Sequence, residues 1–530
     1  MSTQPLLIGG EWRQARELLG AFRAEDPTTG APIGPAFPLC GAADLEAAIS
    51  AASAVANELA ATPPERIAAF LEAYAAGIEA NAEALVDLAH AETALPKQPR
   101  LAAVELPRTT NQLRLAAKAV RNYAWTQPVI DTATGLRSHR APLSKPVLVF
   151  GPNNFPFAFN AVAGSDFASA IAARNPVIAK AHPSHPATSE RLARIAVAAL
   201  QQAGLPSASV QLLYHFDYTA GARLAGDARL GAVGFTGSRA GGLALKAAAD
   251  KAGIPAYVEL SSVNPVFLLP GALTERGAAL AQEFFASCTM GSGQFCTNPG
   301  VVIVPKNTDG DAFVTAATSH FASAAPSVLF SRGVLDHLQH GVATLCEAGA
   351  EVLAGGTVGE PGFRYAPTLL SVDAETFLRA PKALQTEAFG PVSLLVRARD
   401  AAQMAQVAQA FEGNLTGTIY SANDGSDDTT WPTVAHALRP RVGRLIGNRM
   451  PTSVAVSPAM NHGGPYPSTG HPGFTAVGMP AAITRFTALH CYDNVPEHQL
   501  PHELRDGNPD GIARLVDGLW RTDDLVHGAS

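Results

Sequence analysis

Residues 146–180 read PVLVFGPNNFPFAFNAVAGSDFASAIAARNPVIAK. Val147 to Phe150 is a short apolar run suited to a buried strand, Ala158 to Ala173 has helical character, and Val177 to Ala179 is a second strand ending at Lys180. The alternation continues downstream. Thr188 to Ala203 reads as a helix stopped by Gly204, Val210 to Tyr214 and Leu230 to Phe235 as strands, Gly242 to Ala252 as a helix and Ala256 to Leu260 as a strand. This spacing predicts a parallel sheet covered by helices on both faces. Such sheets bind ligands beyond the carboxyl ends of their strands. Asn154, Lys180, Gly237 and Glu259 all fall at or just after a strand end, which places a ligand site there.

Upstream, Ile8 to Trp12 and Asp26 to Gly30 suggest hairpins, and alanine-rich helices are expected from Asp44 to Glu92 and from Ala102 to Tyr123. Thr62, Pro63 and Glu65 read as a capped helix start. Downstream, a mixed apolar pattern runs from Leu260 to about Met479, Ala482 to Tyr492 reads as a strand, and the charged stretch from Pro496 to Ser530 reads as a surface tail. The chain has 530 residues, 47% hydrophobic and 16% charged, enough for two or three domains with a sizeable core.

The net charge of -7 argues against nucleic acid and anionic membranes as partners. The uncharged segments Pro146 to Ser165 and Phe284 to Pro305 are broken by prolines, glycines and amides, so they read as walls of a site rather than membrane spans. Met1 to Arg13 lacks a basic start followed by an apolar run, so no secretory leader is expected. Five scattered cysteines without a C-x-x-C pair point to a reducing, cytoplasmic setting without disulfides or zinc. His182 with His185, and His337 with His340, are three residues apart, but no cysteine or acidic cluster accompanies them, and no metal site is expected.

One cysteine stands out. Cys296 lies in Gln294-Phe295-Cys296-Thr297 within the second uncharged segment, where a nucleophilic thiol could sit in dry surroundings. Glu259 closes a buried strand, where a carboxylate is costly unless paired or used, and general-base work is one such use. Asn154 could donate its amide to an oxyanion, although the motif read alone favours a turn-forming role. Gly237 to Gly242 follows a strand and opens a helix; its spacing is G-x-x-x-x-G, so a phosphate-binding turn and a plain tight turn both stay open. No carboxylate follows Lys180 within three residues, which leaves room for a 2′-phosphate; Arg223, Arg239 and His182 are candidate cations for it.

Together these motifs resemble the aldehyde dehydrogenase superfamily over nearly the whole chain. Asn154 in N-F-P resembles the oxyanion asparagine, Lys180 the cofactor-ribose lysine, and Phe235-Thr236-Gly237-Ser238 the F-T-G-S turn. Glu259 before Leu260 resembles the general base, Gln294-Phe295-Cys296 the nucleophile motif, and Glu387 in E-A-F-G-P the acid of the nicotinamide ribose, with Phe389 nearby. The resemblance implies an α/β fold. A doubly wound Rossmann-like cofactor domain (residues 1–125 and 143–260) would accompany an α/β catalytic domain (261–478), an oligomerisation segment (126–142 and 479–495) and a C-terminal tail (496–530). His182, Ser238, Gly242 and Leu260 are expected beside the cofactor, and a homodimer or homotetramer is implied.

Some positions depart from the superfamily pattern. Ser261-Ser262 replaces the common Gly-Gly, and Asn461-His462-Gly463-Gly464 replaces the usual P-F-G-G. These departures are similar to the NADP-preferring 2-oxoglutarate semialdehyde dehydrogenases, near the fatty aldehyde dehydrogenases of luminous bacteria. The implied reaction is NADP-dependent oxidation of a small aldehyde, with NAD possible, through a thiohemiacetal and thioester on Cys296. A substrate carboxylate would need a cation, for which Arg108 and Arg114 are candidates, and Phe155, Phe159 and Phe295 would line the tunnel. A fatty aldehyde dehydrogenase, a CoA-acylating enzyme and an inactive binding protein are the alternatives.

Overall fold

The computed structural model describes residues 3–525. Its first sheet has the order Ala256–Glu259, Ala232–Thr236, Val147–Phe150, Val177–Lys180, Val210–Leu213, Leu6–Ile8 and Glu11–Arg13. The first five strands are parallel, and the N-terminal hairpin adds two antiparallel strands on one edge. Val147–Phe150 and Val210–Leu213 are buried throughout, as expected of strands covered on both faces. The register aligns Thr236 with Glu259, Phe235 with Phe150, and Phe150 with Lys180, so the carboxyl ends form one ledge.

Local chemistry adjusts several expected boundaries. The helix after the first central strand is only Ser165–Ala172. Residues 156–164 stay in turns because side chains take their backbone donors. Glu105 accepts from the Phe157 and Ala158 N–H groups, and Asn160 Oδ1 accepts from Val162 N. Thr62 does not cap: its hydroxyl donates to Glu58 O, and the helix Pro64–Ala80 starts from Pro63 without a side-chain cap. Pro186–Ala203 does end at Gly204, in the left-handed region.

A second seven-stranded sheet has the order Glu351–Ala354, Thr368–Asp373, Val392–Ala398, Val301–Pro305, Val266–Leu268, Asn414–Tyr420 and Val442–Gly447. It is parallel apart from its first pair. Separate apolar clusters cover it on its two faces. Cys296 lies in the connection between helix Pro270–Thr289 and strand Val301–Pro305.

The third sheet runs Thr487–Asp493, Leu136–Pro142, Val129–Asp131, Arg514–Val516 and Leu519–Arg521. The expected strand at Ala482 begins later, after the 3₁₀ turn Ile483–Phe486. The stretch expected as a surface tail is packed: residues 514–521 supply two strands, while 526–530 lie outside the described residues. Some of its charges are buried and partnered while others face solvent. Arg514 is fully buried and donates to the Arg505 and Asp523 carbonyls, Arg137 meets Asp506 at 2.6 Å, and His139 meets Glu503 at 2.8 Å. No helix among the described residues is long and apolar enough to cross a membrane.

Candidate active site

The cysteine loop is held by its backbone. Gly291, Ser292 and Gly293 all have left-handed φ. A Cβ on Gly293 would lie 2.1 Å from the Gly390 carbonyl oxygen, so this turn admits only glycine there. The Gln294 side-chain oxygen accepts from Phe330 N at 2.9 Å. Asn264 Nδ2 donates to the Cys296 and Asn298 carbonyls, both at 2.9 Å. Asn154, 4% exposed, donates from Nδ2 to Gln294 O at 3.0 Å. The sequence suggested Asn154 as an oxyanion donor; the amide tethers the Cys296 loop, and Nδ2 carries a second hydrogen.

Three reactive groups converge. His462 Nε2 is 3.5 Å from Cys296 Sγ and 2.9 Å from Glu259 Oε1. His462 and Glu259 are each 1% exposed, whereas Cys296 keeps partial exposure. Glu259 Oε2 is buried with no hydrogen-bond partner. One ligand atom from each of the three lies within 4.8 Å of the others, a spacing that a metal ion could also use. Burial pushes the Cys296 thiol well above its ordinary range; the facing Glu259 adds to the rise, and Arg108 opposes it. Cys288 is fully buried in the apolar core with Asn298 Nδ2 at 3.9 Å, whereas Cys296 keeps partial exposure, so Cys288 is no rival nucleophile.

His462 was not among the sequence candidates. The signal for it was present, however, as the departure at Asn461-His462 from the superfamily pattern. Its backbone N–H donates to Thr475 Oγ1, which fixes a loop far along the chain from both partners.

An aromatic wall rises beside these groups. Phe155 packs edge-on to Phe159 at 5.2 Å and to Phe295 at 5.6 Å, and Phe159 lies 6.0 Å from the His462 ring. Arg100 lies over Phe155 and Phe295, and Arg108 over Phe155 and Phe159. Arg114 is elsewhere. It forms a two-pronged ion pair with Glu79 at 2.5 and 2.7 Å on the surface, which corrects its candidacy as a substrate residue. Arg444, unnoticed in the sequence, contributes to the Cys296 field from strand Val442–Gly447.

The strand-end ledge carries the remaining candidates. Lys180 has no ion pair among the described residues, and burial lowers its pKa to about 8. His182, His185 and His215 surround it; burial and the lysine charge hold all three below the ordinary imidazole range. Arg239 is tied to Glu412 at 2.8 Å, Arg223 lies in the field of Glu46, and His182, though beside Lys180, is held neutral, so none of the three expected cations brings a free positive charge and Lys180 supplies it. Ser238 caps the helix Arg239–Lys251 through Gly241 N. A Cβ on Gly242 would meet Leu260 Cδ2 at 2.3 Å, so this glycine permits close helix–strand packing. Glu387 lines a cavity with Ser262, Phe295 and Phe389, and burial raises it to about 7. The ledge fits a nicotinamide dinucleotide: an unpaired cation, a capped helix N-terminus and no carboxylate beside the lysine.

Comparison with known proteins agrees with this geometry. The profile of the Aldehyde dehydrogenase family matches residues 12–489. Alpha-ketoglutaric semialdehyde dehydrogenase 2 of Azospirillum brasilense is 41% identical over 97% of this chain and 99% of its own length. Alpha-ketoglutaric semialdehyde dehydrogenase of Acinetobacter baylyi is 38% identical over 86% of this chain and 88% of its own. Among solved structures, lactaldehyde dehydrogenase from Escherichia coli superposes with a TM-score of 0.78 at 24% identity, covering 92% of this chain and 98% of that one. PnpE in complex with nicotinamide adenine dinucleotide gives 0.79 at 22% identity, covering 94% and 99%. These last two likenesses concern the fold.

Proposed function

The chain belongs to the aldehyde dehydrogenase family, and from that premise we propose that it oxidises 2-oxoglutarate semialdehyde to 2-oxoglutarate, with NADP as the preferred acceptor and NAD as a poorer one. The contact of Cys296 with His462 and of His462 with Glu259 carries the chemical part of this reading. The two relatives named as alpha-ketoglutaric semialdehyde dehydrogenases support the substrate. Lys180, without a neighbouring carboxylate, supports NADP, and the neutral His182 beside it can offer a hydrogen bond but no charge.

The thiol is held in its protonated form until a base takes its proton. Cys296 keeps partial exposure, so solvent water takes that proton, and His462 Nε2–H, which donates to Glu259 Oε1 at 2.9 Å and lies 3.5 Å from the sulfur, steadies the thiolate. The thiolate adds to the aldehyde carbon, giving a thiohemiacetal. The oxyanion lies within reach of the Asn154 amide and the Cys296 N–H, each worth on the order of 10²–10³ in rate. Lys180, His182, Ser238, Leu260, Glu387 and Phe389 would hold a nicotinamide cofactor along the ledge that Gly237 and Gly242 shape, and when bound it would supply the hydride acceptor. Glu259 Oε2, the buried oxygen with no partner, takes the proton of the water that hydrolyses the thioester. A free carboxylate oxygen so near the acyl carbon disfavours transfer to CoA. The arginines on the aromatic wall disfavour a fatty aldehyde.

The proposed domain division follows the sheets: cofactor binding by residues 1–125 and 143–260, catalysis by 261–478, and oligomerisation through 126–142 and 479–495. The edge position of strand Thr487–Asp493, with Leu489 exposed, supports pairing into a homodimer or homotetramer. Five cysteines without a disulfide support a cytoplasmic location. Steady-state kinetics with 2-oxoglutarate semialdehyde, succinate semialdehyde, pentanal and dodecanal, each with NADP and NAD, test the function. The highest kcat/KM is expected for 2-oxoglutarate semialdehyde with NADP; a maximum at dodecanal would reject the substrate.

A further inference from the structure

We propose that Arg108 binds the far carboxylate of the aldehyde substrate and makes the site selective for dicarboxylate-forming semialdehydes; the assignment rests on the substrate reading above. Arg108 Nε and Nη2 are buried and have no hydrogen-bond partner. A guanidinium removed from water without a counter-ion is costly, and folded proteins pair such groups. Its nearest acid, Glu105, is already committed: one oxygen accepts from Phe157 N at 2.8 Å and Ala158 N at 3.1 Å, and the other is bridged to Arg100. The charge of Arg108 therefore awaits a partner from outside the chain.

Its position suits a substrate tail. The guanidinium carbon lies 5.1 Å from the Phe159 ring centre and 5.5 Å from that of Phe155. Phe159 reaches the His462 ring, and His462 touches the Cys296 sulfur. Cys296 and Glu259 both act on the charge of Arg108. An extended five-carbon semialdehyde separates its aldehyde and carboxylate carbons by about 5 Å, from bond lengths near 1.5 Å. The two rings hold the planar fork in one orientation, which suits two-pronged recognition of a carboxylate.

The other cations near the site are engaged. Arg100 is paired with Glu105 and donates to Asn154 O at 2.9 Å. Arg444 donates to Ser453 O at 3.1 Å and Pro451 O at 3.3 Å.

The test compares carboxylate-tailed and neutral aldehydes in the full-length enzyme. Arg108→Met should lower kcat/KM for 2-oxoglutarate semialdehyde and succinate semialdehyde on the order of 10²-fold, and change pentanal by less than about threefold. Arg108→Lys keeps the charge but not the fork, and should lose roughly tenfold on the carboxylate-tailed pair alone. If the Met variant does not fold, the Lys variant carries the test. Equal losses on both classes, or no selective loss, would overturn the assignment. A wild-type enzyme indifferent to the carboxylate would remove the substrate reading instead.

Discussion

At the strand-end ledge, Lys180 and Glu259 are positioned by neighbouring parallel strands whose register runs through Phe150 and Thr236. The group around Cys296 is assembled differently. Asn154, Glu259, Gln294 and His462 come from segments separated by up to 308 residues, and each is held by bonds to the others' loops (462 minus 154). A ledge built from local strand–turn–helix units should respond to substitution one residue at a time. A cage built from distant loops should respond as a unit.

Loss of the nucleophile breaks the cage completely. Cys296→Ala should abolish both the first burst of reduced cofactor and turnover, leaving less than about 10⁻⁴ of the rate, as expected for covalent catalysis. Survival of either phase would reject the thioester route.

Glu259→Gln separates the two halves of the cage. Steady turnover should fall roughly 10²–10⁴-fold while a burst persists, because only deacylation loses its base. Glu259 helps to hold the thiol up, so the neutral amide should lower the Cys296 pKa and speed iodoacetamide labelling at pH 8. Peptide mass mapping distinguishes Cys296 from the exposed Cys491. His462→Asn should act in the opposite sense, slowing the burst itself by roughly 10²-fold through loss of the donor that steadies the thiolate. Equal burst kinetics in the two variants would overturn this division of roles between Glu259 and His462.

The ledge should show a milder, local effect. Lys180→Met should raise KM for NADP about tenfold with little change in kcat, since one charge-assisted contact is lost. With a pKa near 8, Lys180 in the wild-type enzyme loses its charge as pH rises through 8, so NADP affinity should weaken above that pH. The slope should vanish in the Met variant. The smallest effect belongs to neither region: Arg114→Ala should leave kinetics unchanged and alter stability by less than about 1 kcal/mol, the usual range for an exposed ion pair, as thermal melting would measure.

The alternation from Val147 to Glu259 was legible because parallel strands buried on both faces are short apolar runs, and their ends mark ligand positions. Cys296, Glu259 and Asn154 could be named from their local motifs. Arg108 and Arg114 could not be told apart, since both are helix arginines in the sequence Arg108-Thr109-Thr110-Asn111-Gln112-Leu113-Arg114. Only packing shows one against Phe155 and Phe159 and the other against Glu79. Residues 514–521 look like tail because of their charges; the fold instead places them as two strands, burying Arg514 against backbone carbonyls while Asp517 and Arg521 stay exposed.

By itself the sequence determined the α/β architecture and the family and singled out Cys296 as the candidate nucleophile, because strand periodicity and contiguous motifs are local properties of the chain. The third member of the reactive group, His462, the unpaired state of Arg108 and the packing of the last strands were decided by the tertiary structure. Whether a side chain is paired, buried or in contact with a thiol depends on neighbours brought in from distant segments, and no local pattern encodes them.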